Sequence, residues 1–161
     1  MARKTEHRHN KTKAAKRSTS HETYLDTSAF IAFLDKSDSY HLTFKRLFSE
    51  PPPQVTSSLV IAEGHGWFLR RYDRHRASEF LAFIDALPAI TVQAFDETEL
   101  SKVRKMLARF SDQTLTLADA HGLVIMQDRR NAICWSTDRH LSLTGVALAK
   151  SAKQKERNPN I

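Results

Sequence analysis

The chain has 161 residues, 40% of them hydrophobic, with only four Gly, five Pro and one Cys. This length and composition suit one domain with a full hydrophobic core and exclude a collagen-like, low-complexity or disulfide-stapled chain. The formal net charge of +7 is unevenly placed: residues 1–22 carry +5, residues 150–161 carry +3, and 23–149 are left at −1. The expected organisation is therefore a basic, disordered tail over 1–22, a globular domain over 23–149 and a basic tail over 150–161. Such tails can grip phosphates by counterion release or simply solubilise the chain, so charge alone does not argue for nucleic-acid binding. Cys134 lies in the apolar run Ala132-Ile133-Cys134-Trp135, where a buried, inert thiol is expected; the lack of a disulfide fits a reducing, cytoplasmic setting. No apolar stretch approaches the roughly 20 residues of a membrane span, so no membrane association is expected. No apolar core follows the basic N-terminal stretch, so a secretory signal is not expected, although an organelle-targeting segment would share its composition.

In chain order, Thr23-Tyr24-Leu25 reads as a short buried strand ending at Asp26. Thr27 to about Lys36 places Phe30, Ile31, Phe33 and Leu34 at helical spacing, and His41–Ser49 does the same with Leu42, Phe44, Leu47 and Phe48 before Pro51-Pro52-Pro53 ends it. Gln54-Val55-Thr56 is a second strand, followed by a helix capped by Ser57 or Ser58 and running to about Tyr72. Arg74–Leu87 is a helix, Ile90-Thr91-Val92 a strand, Glu97–Phe110 a helix, and Thr116 begins another. Ala132–Trp135 is a fourth strand and Val146-Ala147-Leu148 a short fifth. Short apolar strands separated by helices predict a parallel sheet of four to five strands covered on both faces, a three-layer α/β/α sandwich. Sites in that architecture lie beyond the carboxyl ends of the strands. Asp26 and Asp138 both fall just past a predicted strand end.

Four acids then stand out, and each has a structural explanation of its own. Asp26 suits a helix N-cap and Asp119, three residues after Thr116, suits a capping box. Glu63 suits the positive end of a helix, and Asp138, in Ser136-Thr137-Asp138, suits a self-made turn. Strand-to-helix junctions of a parallel sheet nevertheless converge on one edge, so the four could meet in one pocket. Carboxylates gathered there would repel unless a cation neutralised them, and hard oxygen donors suit Mg²⁺ or Mn²⁺. Such ions activate water for phosphodiester hydrolysis without a side-chain nucleophile.

Four segments carry a family resemblance: YLDTSAFIAFLDKSDSYH, TSSLVIAEGHGWFLRR with Glu63, LTLADAHGLVIMQDRR with Asp119, and AICWSTDRHLS with Ser136 and Asp138. In this order and spacing they resemble the PIN-domain family, especially the single-domain toxins of bacterial VapBC-type toxin–antitoxin pairs. The resemblance runs from about Tyr24 to Leu148. It departs from the family at Leu141, where an aromatic is common. It implies a Mg²⁺- or Mn²⁺-dependent endoribonuclease with Asp26 and Asp119 as metal ligands and Glu63 and Asp138 completing the acidic site. It also implies that Ser28 and Ser136 are hydroxyls orienting the acids. Its partners would be a structured RNA such as tRNA or ribosomal RNA, a cognate antitoxin and a second copy of the chain.

Other residues read as structural. Arg70, Arg71, Arg74, Arg129 and Arg130 sit at helix ends, where cations are common, although they could also meet phosphates. Trp67 and Phe68 suit core or dimer packing better than base stacking. His65 and His121 lack the partners of a zinc site, and Asp38 with His41 suits a helix-start turn. A phosphatase using Asp26 as nucleophile would need a second acid at position 28, which is Ser. The remaining alternatives are a noncatalytic RNA-binding or regulatory protein on the same fold and a housekeeping nuclease of the family.

Overall fold

A computed structural model describes residues 22–149; the two basic tails expected over 1–22 and 150–161 lie outside the described residues, apart from Glu22. The strands are β1 (Thr23–Leu25), β2 (Gln54–Ser57), β3 (Ile90–Gln93), β4 (Ile133–Trp135) and β5 (Ala147–Leu148). The helices are α1 (Thr27–Leu34), α2 (His41–Leu47), α3 (Ser58–Arg71), α4 (Arg74–Ala86), α5 (Glu97–Arg109) and α6 (Leu117–Arg129). Every element expected from the sequence is present, with ends differing by a residue or two.

The strands form one sheet in the order β3-β2-β1-β4-β5, and every pairing is parallel. β1 and β2 are buried along their whole length, as central strands covered on both faces must be. From β1 the chain steps outward to β2 and β3, then crosses back to β4 and β5. With right-handed crossovers, this reversal puts α1–α4 on one face and α5–α6 on the other, completing the three layers. Packing largely follows that division: α1 meets α2 and α3, α3 meets α4, and α5 meets α6, while α3 also meets α6 across the sheet. Beneath α1–α4 the aromatic rings of Phe30, Phe33, Phe48, Phe80 and Phe83 interlock, and Phe48 reaches Trp135 of β4 at 5.0 Å. Trp135, Cys134 and Tyr24 are buried. Burial pushes the Cys134 thiol well above its ordinary range, as an inert core cysteine requires.

Two helix glycines permit close approaches. A Cβ on Gly122 of α6 would stand 2.7 Å from the Tyr24 hydroxyl, and one on Gly64 of α3 would stand 2.5 Å from the Phe80 ring. The first lets α6 lie directly over β1. The start of α6 is thereby brought to the end of β1.

Candidate active site

The point at which the strand order reverses lies between β1 and β4, and at their carboxyl ends a cleft of about 680 Å³ opens. Asp26, Glu63, Asp119 and Asp138 all line it, from four different elements. Ser28 lines it too, and Ser136 lies buried just beneath. The structure thus brings all the sequence-predicted site residues to one place.

Asp26, Asp119 and Asp138 keep the local roles that their sequence contexts suggested, whereas Glu63 does not, since the first turn of α3 holds no acid. Asp26 is the N-cap of α1 and accepts from the Ser28 backbone N–H at 3.3 Å. Asp119 closes a capping box, its Oδ2 accepting from the Thr116 backbone N–H and hydroxyl, both at 2.8 Å. Asp138 accepts from the His140 backbone N–H at 2.9 Å and so starts the 3₁₀ turn Arg139–Ser142. Glu63 lies in the second turn of α3, one turn beyond the reach of a cap, and is held by the Thr27 hydroxyl at 2.5 Å.

Asp26 is the most elaborately held. Its Oδ2 accepts from the Ser28 hydroxyl at 2.6 Å and from the Ser136 hydroxyl at 2.9 Å. Having given their protons to Asp26, these hydroxyls accept in turn: Ser28 from the Thr137 backbone N–H and Ser136 from the Asp138 backbone N–H, each at 2.9 Å. The start of α1 and the loop after β4 are therefore tied through one carboxylate. Burial pushes the Asp26 carboxyl above its ordinary range, against the downward pull of these hydrogen bonds. Directly behind it in β1 is the Tyr24 phenol, raised well above its usual value by burial and then by the nearby negative charge of Asp26.

The donor set fits a hard divalent cation. The titratable lining of the cleft is four carboxylates and two guanidinium groups, Arg70 and Arg139, with no thiol or imidazole among it. With all four acids ionised, the cleft is two positive charges short of neutrality. Among the described residues no three Asp, Glu, His or Cys side chains are gathered tightly enough to hold an ion as they stand. Each acid is held by its own hydroxyl or backbone donor.

Two lining residues alter the sequence reading. Phe68 is core, as expected, but Trp67 is half-buried and lines the cleft, as does Arg70. The signal was in the spacing, because Trp67 and Arg70 follow Glu63 by four and seven residues and share its helical face. His121 proves to be a packing histidine, fully buried, with Nδ1 2.7 Å from the Ser57 hydroxyl. Asp38 and His41 form the helix-start turn expected of them, the His41 backbone N–H donating to the Asp38 carbonyl at 3.0 Å.

A parallel α/β/α sandwich with an acidic cleft at its switch point defines a class. The chain belongs to the PIN domain family, whose model matches residues 23–146. Within it the chain is similar to the 23S rRNA-specific endonuclease VapC20 of Mycobacterium tuberculosis. The two are 26% identical over 123 residues, which is 76% of this chain and 93% of VapC20, and the figures are the same for strains CDC 1551 and H37Rv. The fold is similar to the crystal structure of M. tuberculosis VapC20, described as a sarcin-ricin loop cleaving toxin, with a TM-score of 0.71 and 23% identity over 78% of this chain and 96% of that one. It is also similar to VapBC2 from Rickettsia felis bound to a DNA fragment from their promoter, with a TM-score of 0.55 and 13% identity over 79% and 96% of the two chains. No described helix is long and apolar enough to cross a membrane.

Proposed function

We propose that this protein is a Mg²⁺- or Mn²⁺-dependent endoribonuclease, the toxin of a toxin–antitoxin pair acting in the cytoplasm. The observation that carries the reading is the convergence of Asp26, Glu63, Asp119 and Asp138 on one cleft at the sheet's switch point. Asp26 and Asp119 would hold the cation, with Glu63 and Asp138 completing its acidic surroundings. A divalent cation supplies activation of water and neutralisation of the charge that develops on a phosphodiester under attack.

The chain's own residues supply position and charge. Ser28 and Ser136 fix Asp26 in one orientation through Oδ2, and a carboxylate that can accept about four hydrogen bonds keeps capacity for a ligand. Thr27 and Thr116 do the same for Glu63 and Asp119. Burial of Asp26 raises the energy of its charged form, so an arriving cation relieves a cost already built into the fold. Similarity to VapC20 supports a structured ribosomal RNA as substrate, with tRNA as the alternative. Similarity to VapBC2 supports an antitoxin partner, and a homodimer is the assembly proposed.

The test incubates purified protein with total RNA in Mg²⁺, in Mn²⁺ or in EDTA and maps the cleavage sites. Site-specific cleavage is expected with either ion and none in EDTA, and Asp119→Asn is expected to lose at least about 100-fold in rate, the order of one charge-stabilising contact. Activity that persists in EDTA, or survives in Asp119→Asn, overturns the metal site. Metal-independent binding without cleavage would instead favour a noncatalytic RNA-binding protein on this fold.

A further inference from the structure

The cleft wall formed by α3 has an order to it. Glu63 stands nearest the helix start, Trp67 one turn on, and Arg70 about one turn beyond that, all on one face and all lining the cleft. Trp67 differs from its neighbour: Phe68 is sealed into the core at 1% exposure, whereas Trp67 is only half-buried. The indole is braced from behind by Phe68 at 4.9 Å and Tyr72 at 6.0 Å, both roughly edge-on, which fixes its plane. Arg70 runs back along the helix. Its Nη1 lies 3.0 Å from where a Cβ on Gly66 would stand, so glycine at that position opens the guanidinium's path towards the helix start. Arg139 lines the same cleft from the turn after β4.

We propose that this wall is a nucleotide-reading subsite, in which Trp67 stacks on the base beside the scissile phosphate and Arg70 binds a flanking phosphate. A braced aromatic plane beside a guanidinium is the pairing that takes up successive nucleotides of a single strand, base on ring and phosphate on cation. A base in an A-form duplex keeps both faces stacked on its neighbours and cannot reach the indole. The substrate class is therefore RNA with an unpaired nucleotide at the cut, in a loop, bulge or end, and the subsite needs no particular base sequence. A fixed positive charge next to the acids also offsets the repulsion that the cleft would exert on a polyanion. The inference rests on the ribonuclease reading and names which part of an RNA that site accepts.

Tryptophan emission gives a readout separate from cleavage. The chain has two tryptophans, and Trp135 is buried against Phe48, so a quench on RNA binding reports Trp67. The titration uses full-length Asp119→Asn protein in Mg²⁺, to preserve the RNA, with an unpaired octaribonucleotide and a blunt duplex of the same length; fluorescence anisotropy of labelled RNA measures binding independently. The octamer is expected to quench and the duplex to quench far less. Trp67→Phe is expected to remove the quench while keeping affinity within about threefold. Trp67→Leu, which retains apolar bulk against Phe68, should weaken octamer binding by on the order of tenfold. Arg70→Gln should weaken it several-fold and flatten its salt dependence. Octamer binding by anisotropy without a quench, or unchanged affinity in folded Trp67→Leu, overturns the subsite and leaves the ribonuclease reading intact. If no RNA binds at all and the wild type cuts none, both fall.

Discussion

On the α5–α6 side of the molecule, Glu99 and Asp128 share the Lys102 ammonium at 2.8 and 2.7 Å, and Glu99 Oε2 also lies 3.3 Å from His121 Nε2. In the cleft at the N-terminal end of α6, four carboxylates line the same space as two arginines and pair with neither, while Asp138 Oδ1 lies 3.0 Å from His140 Nδ1. Both acids in the first group touch one cation of the chain, and the Asp128 and Glu99 hydrogen bonds push the Lys102 ammonium well above its usual range. Asp26 in the second group shows the reverse, a carboxyl raised by burial despite its hydrogen bonds. Charge that a fold needs for itself is neutralised by the fold. On the function proposed above, the charge of Asp26, dehydrated and without an ammonium or guanidinium partner, is held for a cation that arrives from solution.

The comparison is broken most directly at Asp26. Asp26→Asn should abolish RNA cleavage, a loss of about 100-fold or more, yet melt at an equal or higher temperature than wild type in EDTA at neutral pH. Added Mg²⁺ should raise the melting temperature of the wild type and do so less for the variant, since a ligand that binds only the folded state stabilises it. A matched acid should behave oppositely: Glu99→Gln should lower stability while leaving the cleavage rate per folded molecule unchanged. A large drop in melting temperature for Asp26→Asn would place Asp26 among the structural acids instead.

Next in size is the glycine that brings the cleft together. Gly122→Ala forces a methyl against the fully buried Tyr24 ring, for an expected cost of about 1–3 kcal/mol in denaturant unfolding. Because the same contact places α6 over β1, the variant should also lose activity beyond its loss of folded protein.

The pH dependence of stability should separate the two groups without mutation. Asp26 has a folded pKa above its unfolded one, so in EDTA its contribution is present at low pH and is lost as pH rises through the raised folded value. His121 is the opposite. Burial lowers its pKa below the ordinary 6.5, against the upward pull of Glu99, so its contribution is present above about 6.5 and lost as pH falls below that towards the folded value. The network supports the neutral ring: the Ser57 hydroxyl accepts from the Leu59 N–H at 3.0 Å and so donates to Nδ1, leaving the ring proton on Nε2 facing Glu99. Chemical unfolding across pH 4–8 should show acid destabilisation that disappears in a His121→Gln variant. The smallest effect is expected at Lys102, whose pairs are partly exposed: Lys102→Met should shift stability by about 1 kcal/mol or less and leave cleavage alone.

Much of this was legible in the sequence. The alternation of apolar strands with amphipathic helices dictated a parallel sheet, and Pro51–Pro53 marked the end of α2. Ser57, Thr116 and Asp26 announced the helix starts that they cap. Trp67 was harder, because an apolar helix offers no local sign of which aromatic turns to the core and which to a cleft. Its spacing from Glu63 becomes informative only once Glu63 is known to face the site. The pairing of His121 with Ser57 and Glu99 was invisible, since those contacts join residues 64 and 22 positions apart through the packing of α6 against β2 and α5.

The N-caps mark the boundary most clearly. Asp26, Asp73 and Asp96 each cap a helix by accepting a backbone N–H in its first turn, at 3.3, 2.9 and 3.0 Å. The sequence offered that role for Asp26, and Asp73 and Asp96 fill it in the same way, because capping depends only on a short polar side chain and the helix that follows. Only the tertiary structure decided that Asp26, alone of the three, would sit at the reversal of strand order between β1 and β4, buried, held by Ser28 and Ser136 and sharing a cleft with Glu63, Asp119 and Asp138. The physical reason is that a cap is a contact within one turn of chain, whereas a carboxylate cluster is a sum of charges from four elements that chain topology must bring to one edge.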